Sequence, residues 1–213
     1  MSNSRKAGSV ILANLAMFNE ATILFENQIE PEFSKALDDV IKEWAGAKKW
    51  VGEFEEHIEN GDTWIFPQEW YCKGVEEEEC DSIAWFTLGF LNGDGDAYDL
   101  ADLCGVGEDE MGFIFRIKYG EFGGKTAWNK FMKSLPESII SSLLGLGFND
   151  CGKGVFFIPI KLDVNLLVAA WENEDYVDLM RPVISVLDDI EKSVPIFNEV
   201  FRQANVAGLN RLE

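Results

Sequence analysis

The stretch from Gly61 to Glu110 constrains this chain more than any other. It holds fourteen acids and a single base, Lys73, together with Trp64, Phe66, Trp70, Tyr71, Trp85 and Phe86. Carboxylates at this density cannot be buried together, because each would lose its hydration without gaining a partner. A disordered acidic tail, in turn, would lack the aromatics. Both demands are met if the apolar residues form strands and the acids occupy the loops between them. The next fifty residues, Met111 to Ile160, hold six bases and three acids. Most of the formal charge of −20 therefore sits in one quarter of the sequence.

The hydrophobic period supports this division. Residues 9–29 place Ile11, Leu15, Phe18, Thr22 and Phe25 at helical spacing, and Val10, Leu12 and Met17 widen the apolar face, which predicts a central helix. Pro31 suits the first turn of a second helix facing inward through Phe33, Leu37, Val40, Ile41 and Trp44. From Trp50 the period becomes two, with Trp50, Phe54 and Ile58 on one face. Asn60-Gly61-Asp62 signals a turn, and a strand over about residues 63–72 follows, with Pro67 marking an edge or a break. Residues 83–91 are nearly all apolar, as in a central strand. Met111, Phe113, Phe115, Ile117 and Tyr119 alternate as another. Helices are predicted from Thr126, after Pro136, over 164–180 and over 182–193, where Pro195 should force a bend. A further strand spans 155–162.

Short connections between sequential strands make an antiparallel meander the economical topology. The expectation is an α+β fold in a single domain over residues 1–213. It comprises a helical part (1–48), an acidic meander of about four to five strands (49–122) and a helix-strand-helix part (123–213). The length and the 47% hydrophobic content are enough for one good core. Cys72, Cys80, Cys104 and Cys151 form no CxxC pair, which fits reduced thiols in a cytoplasmic protein. The apolar run from Val10 to Phe18 follows Arg5 and Lys6, is interrupted by Asn14 and is not followed by an A-x-A site. It is expected to be neither a bilayer span nor a signal peptide.

The known catalytic patterns fit poorly. His57 is the only histidine, so any Ser-His-Asp or Cys-His system must use it. It lies between Glu56 and Ile58 on the polar side of a strand, with no G-x-S-x-G elbow anywhere. Zinc would need more histidine or paired cysteine. Gly120-Glu121-Phe122-Gly123-Gly124-Lys125-Thr126 resembles a phosphate loop in composition only. Its first glycine is one residue too close, and Glu121 would oppose a phosphate, so a plain strand-to-helix connection is expected. Asn92, Asp94 and Asp96 occupy the first three ligand positions of a calcium loop. Ala97 stands where the sharp turn needs glycine, and Leu103 where a bidentate glutamate belongs. No cofactor is expected. An enzyme with a carboxylate and divalent-metal site across Asp94, Asp96, Asp99 and Asp102 is the alternative reading, and a scaffold subunit is a third.

What the sequence offers is a charged surface. A chain with pI near 4.3 repels nucleic acid and anionic membranes alike. Its natural partner is a basic protein, foremost a nucleic-acid-acting enzyme whose groove the carboxylates would occupy as phosphates do. Duplex DNA presents about one charge per 1.7 Å of axis for such a protein to imitate. The residues expected to carry this contact are Glu76, Glu77, Glu78, Glu79, Asp81, Asp94, Asp96, Asp99, Asp102, Glu108, Asp109 and Glu110. Trp64 and Trp70 would be the desolvated anchors. On this reading the chain is a non-catalytic inhibitor of the counter-defence, immunity or antitoxin kind.

Overall fold

The computed structural model describes residues 3–54, 63–71, 82–91 and 98–206. Their architecture is α+β. Strands β1 (Trp50–Glu53), β2 (Trp64–Pro67), β3 (Ala84–Phe90), β4 (Met111–Ile117), β5 (Asn149–Asp150) and β6 (Phe156–Pro159) form one sheet in the order β1-β2-β3-β4-β6-β5. Every pairing is antiparallel. The longest ladder joins β3 to β4 from Ala84↔Ile117 to Phe90↔Met111. The strict alternation of β4 has its expected outcome: Met111, Phe113, Phe115 and Ile117 are all buried on one face. Pro67 ends β2 rather than marking an edge, since β2 lies between β1 and β3.

Helices cover that face. Helix α3 (Glu30–Lys48) buries Phe33, Leu37, Ile41, Trp44 and Ala45, a single stripe at helical spacing. It stops at Lys49, which adopts φ 59° and returns its N–H to the carbonyls of Ala45 and Gly46. The short α4 (Asp99–Leu103), α5 (Lys125–Met132), α6 (Glu137–Leu144) and α7 (Val164–Asn173) follow, and α8 (Arg181–Val206) closes the described chain. Helix α8 buries Val183, Leu187, Ile190, Val194, Phe197, Phe201 and Ala204 in steps of three and four. The ring of Phe197 stacks on Phe115 at 3.9 Å and meets Trp70, Phe86, Phe148 and Phe156 edge-on. Trp44 ties α3 to α8 by donating its indole N–H to Asp188 Oδ1 at 2.9 Å.

Three expectations about helices are corrected. Pro195 does not divide the last helix, because α8 runs through it. Pro195 lies on the exposed side, where solvent satisfies a carbonyl that has lost its helical donor. The preceding helix ends at Asn173 instead of reaching residue 180, stopped by Glu174 with φ 54°. The largest change is at the start. Helices α1 (Asn3–Ala13) and α2 (Leu15–Leu24) are separated at Asn14 by a bend of 89°, and α2 continues through a π turn, Phe25–Ile29, into α3. The π turn precedes Pro31, whose ring and missing N–H do not fit a regular turn. The expected central helix is not central. Helix α2 buries none of its residues, and Leu12 keeps 72% of its surface exposed. Apolar content measures how much surface a helix could bury; here α3 and α8 already fill the face of the sheet. No single described helix is long and apolar enough to cross a membrane.

Candidate functional site

Of the acids expected at a partner surface, the described ones are Asp99 and Asp102 on α4 and Glu108, Asp109 and Glu110 on the loop that leads from it into β4. Leu100 and Leu103 anchor α4 in the core, and Leu162 donates its N–H to the Leu103 carbonyl at 2.8 Å. Past Cys104 the chain folds back, with the N–H groups of Val106 and Gly107 both donating to the Ala101 carbonyl. Asp102 is only 4% exposed, and its Oδ1 accepts the Asp109 N–H at 3.1 Å. A Cβ on residue 107 would lie 1.8 Å from that oxygen, so any larger residue there would push the Asp102 carboxylate aside. Asp102 is therefore an internal clasp. This corrects its expected place on an exposed surface: a buried carboxylate spent on its own loop braces the residues beside it and is not displayed.

What Asp102 clasps is the exposed run Glu108-Asp109-Glu110. Glu108 and Glu110 are exposed and Asp109 is half-buried. The Glu110 carbonyl also accepts from the Leu91 N–H at 3.1 Å, which fixes the loop to the end of β3. These residues line a cleft of ≈ 340 Å³ with Asp102, Pro159 and Lys161. The Lys161 side chain passes over Gly105, whose Cβ would meet Lys161 Cε at 3.1 Å. Three carboxylates projecting from a braced loop beside a single ammonium make an electrostatic contact surface.

Asp99 opens the same short helix but belongs to a different group. It lies near Glu30 at the start of α3, whose carboxyl is held above the ordinary glutamate range by burial, then by the charges of Asp99 and Glu26. Tyr98 donates its hydroxyl to Glu26 and packs its ring on Phe25 at 4.5 Å, which fastens this corner to the root of the N-terminal helices. The described acids thus form two neighbouring groups joined through α4.

The two tryptophans separate. Trp64, on β2, is half-buried, stacks on Phe66 at 5.6 Å and donates its indole N–H to Glu53 Oε2 at 3.0 Å. Trp70 is a core residue, 2% exposed. It packs among Phe86, Phe115, Phe197 and Phe201, with its indole N–H on Asn198 Oδ1 at 2.8 Å. This corrects its expected role as a protruding anchor: an aromatic flanked by acids in sequence still goes inward when a short 3-10 turn, Gln68–Trp70, delivers it to the core. Glu76, Glu77, Glu78, Glu79, Asp81, Asp94 and Asp96 lie outside the described residues, as do His57, Cys72 and Cys80.

Among the described residues no group of three or more His, Cys, Asp or Glu side chains is arranged to hold a metal ion. The glycine-containing turn before α5 is a plain connection. Phe122 is buried at its centre, and Gly124 donates its N–H back to the Tyr119 carbonyl. Two features escaped the sequence reading: the bare N-terminal helices and, at their root, the acid Glu30, which has no hydrogen bond or ion pair among the described residues. The apolar residues of 10–18 on every side of the helix, with Asn14 interrupting them, were the available signal for the first. No family model, no curated protein and no solved structure matches this chain.

Proposed function

We propose that this chain is a non-catalytic acidic binding protein that occludes a basic partner, in the first place the phosphate-binding groove of a nucleic-acid-acting enzyme. The observation that carries the reading is the braced display of Glu108, Asp109 and Glu110 on a chain of formal charge −20. Fixed carboxylates bind a basic groove at lower entropic cost than mobile ones, and they accept from arginine and lysine with the geometry that phosphates use. The same field speeds encounter with a cationic target. Inhibition follows from occupancy alone, without chemistry by this protein. The acids at 76–79, 81, 94 and 96 extend the proposed surface in sequence.

The test is affinity capture on the full chain at low salt, with washes at high salt and after nuclease treatment. The reading expects one basic nucleic-acid enzyme that survives nuclease, elutes with salt and is displaced by added duplex DNA. A captured protein that DNA does not displace would remove the groove from the account. A melting temperature raised by divalent cations would move the function to the metal-site alternative.

A further inference from the structure

The N-terminal arm, α1 and α2, carries apolar surface that its own chain does not cover. Val10, Leu12, Leu15, Met17, Ile23 and Leu24 are all exposed, Leu15 at 59% and Ile23 at 53%. Ile11 and Phe18 add to them at 40% and 36% exposed. The largest patch on a typical monomer is ~300–600 Å², and each side of a standard interface contributes ~800 Å². Eight large apolar side chains left in water on one arm mark an interface still lacking its other half.

Charge says what the other half is. Residues 3–24 hold Arg5 and Lys6 against Glu20 alone, so the arm is the cationic end of a strongly anionic chain. Its root is the reverse. Glu26 is exposed there, and Glu30 is 8% exposed with no hydrogen bond or ion pair among the described residues. Burial, and then the charges of Asp99 and Glu26, disfavour the Glu30 carboxylate, so a cation brought to this corner is favoured. Two bent arms related by a twofold axis, with α1 of each copy laid antiparallel along α2 of the other, bring the tip of each to the root of the other. A lipid surface fits less well. Asn14, Asn19 and Glu20 are spread around the helix and would enter hydrocarbon, the arm turns by 89° at Asn14, and the rest of the chain is repelled by anionic headgroups.

We propose that two copies of this chain associate through their arms about a twofold axis, with Arg5 and Lys6 of each copy against Glu26 and Glu30 of the other. Such an interface is isologous: each patch is complementary to itself. The pairing is independent of the acidic surface at 108–110, so it stands or falls separately from the proposed function.

Sedimentation equilibrium of the full chain tests the pairing. A dimer is expected at micromolar concentration. The double substitution Leu15→Asp and Ile23→Asp should give a monomer whose urea midpoint for the body is unchanged, because both side chains are already in water in a single copy. Arg5→Glu with Lys6→Glu should weaken the dimer at least ~tenfold, and adding Glu26→Lys to that variant should recover most of the loss. Failure of Glu26→Lys to rescue would overturn the tip-to-root pairing. So would a dimer indifferent to the arm substitutions, or a monomer at all concentrations. A monomer that sediments with neutral phosphatidylcholine vesicles would replace the second copy with a lipid surface.

Discussion

Trp70 discriminates most sharply between a core and an interface reading of the acidic quarter. Its ring lies 5.4 to 6.2 Å from those of Phe86, Phe115, Phe197 and Phe201, at the junction of the sheet with α8. Truncation to alanine removes all four ring contacts and leaves a cavity that a sheet held on both sides cannot close. The expected cost is about 3–5 kcal/mol. That is a large share of the ~5–15 kcal/mol that holds a typical domain, and for a chain of this length it lowers the melting temperature by roughly 6–20 °C. Trp70→Phe keeps most of the volume and loses the bond to Asn198 Oδ1. Asn198 still donates to Glu69 Oε1 at 2.5 Å, so this change should cost only about 1–2 kcal/mol. Urea unfolding followed by far-ultraviolet circular dichroism measures both. Partner capture per folded molecule should be the same for wild type and both variants. A Trp70→Ala protein that loses less than about 1 kcal/mol yet no longer captures its partner would refute the reasoning.

Two other perturbations follow from the packing and the charges. At Gly112 an added Cβ would sit 2.2 Å from the Ile158 carbonyl oxygen and 2.7 Å from Pro159 Cα, both backbone. Gly112→Ala should therefore destabilise by at least about 2 kcal/mol. Gly120→Ala, with open space around its Cβ, should stay within about 0.5 kcal/mol in the same denaturant series. Tyr176 is pushed up to about 12 by burial, then by the hydrogen bond it donates to Glu32. An acid whose folded pKa is raised keeps its proton in the native state after the unfolded chain has lost it. Its contribution is then fully present below pH 10 and is lost as the pH climbs from 10 towards 12. Tyr176→Phe should remove that alkaline loss, so a melting curve for the variant should fall less steeply with pH above 10 than wild type.

The sheet was legible because period-two patterns report which face a residue takes. Met111 to Ile117 could be placed inward from the sequence, and residues 83–91 read correctly as a central strand. The arm was not legible in the same way. Val10, Leu12 and Leu15 declare an apolar helix, yet nothing local states whether a face is free to receive it. Trp70 and Asp102 failed for a related reason. Aromatic and acidic residues alternate through this quarter, and only the 3-10 turn at residues 68–70 and the glycine at 107 decide that one tryptophan and one carboxylate turn inward. The run Glu108-Asp109-Glu110 was legible as surface because acids at this density fit loops between strands and not a core. Its bracing by Asp102 depends on a loop that folds back on itself, which spacing alone does not reveal.

The salt dependence of binding, compared between wild type and a variant with Glu108, Asp109 and Glu110 all replaced by lysine, is the most direct test of the acidic surface. Asp109 holds the loop through its backbone N–H, so its side chain can be exchanged without releasing Asp102. The account predicts that affinity for the captured basic enzyme falls steeply with salt in wild type. The variant should bind more weakly with a shallower slope, at an unchanged melting temperature. Equal affinities and equal slopes for the two proteins would contradict it, and the carboxylates at 108–110 would then be no more than a solvated face.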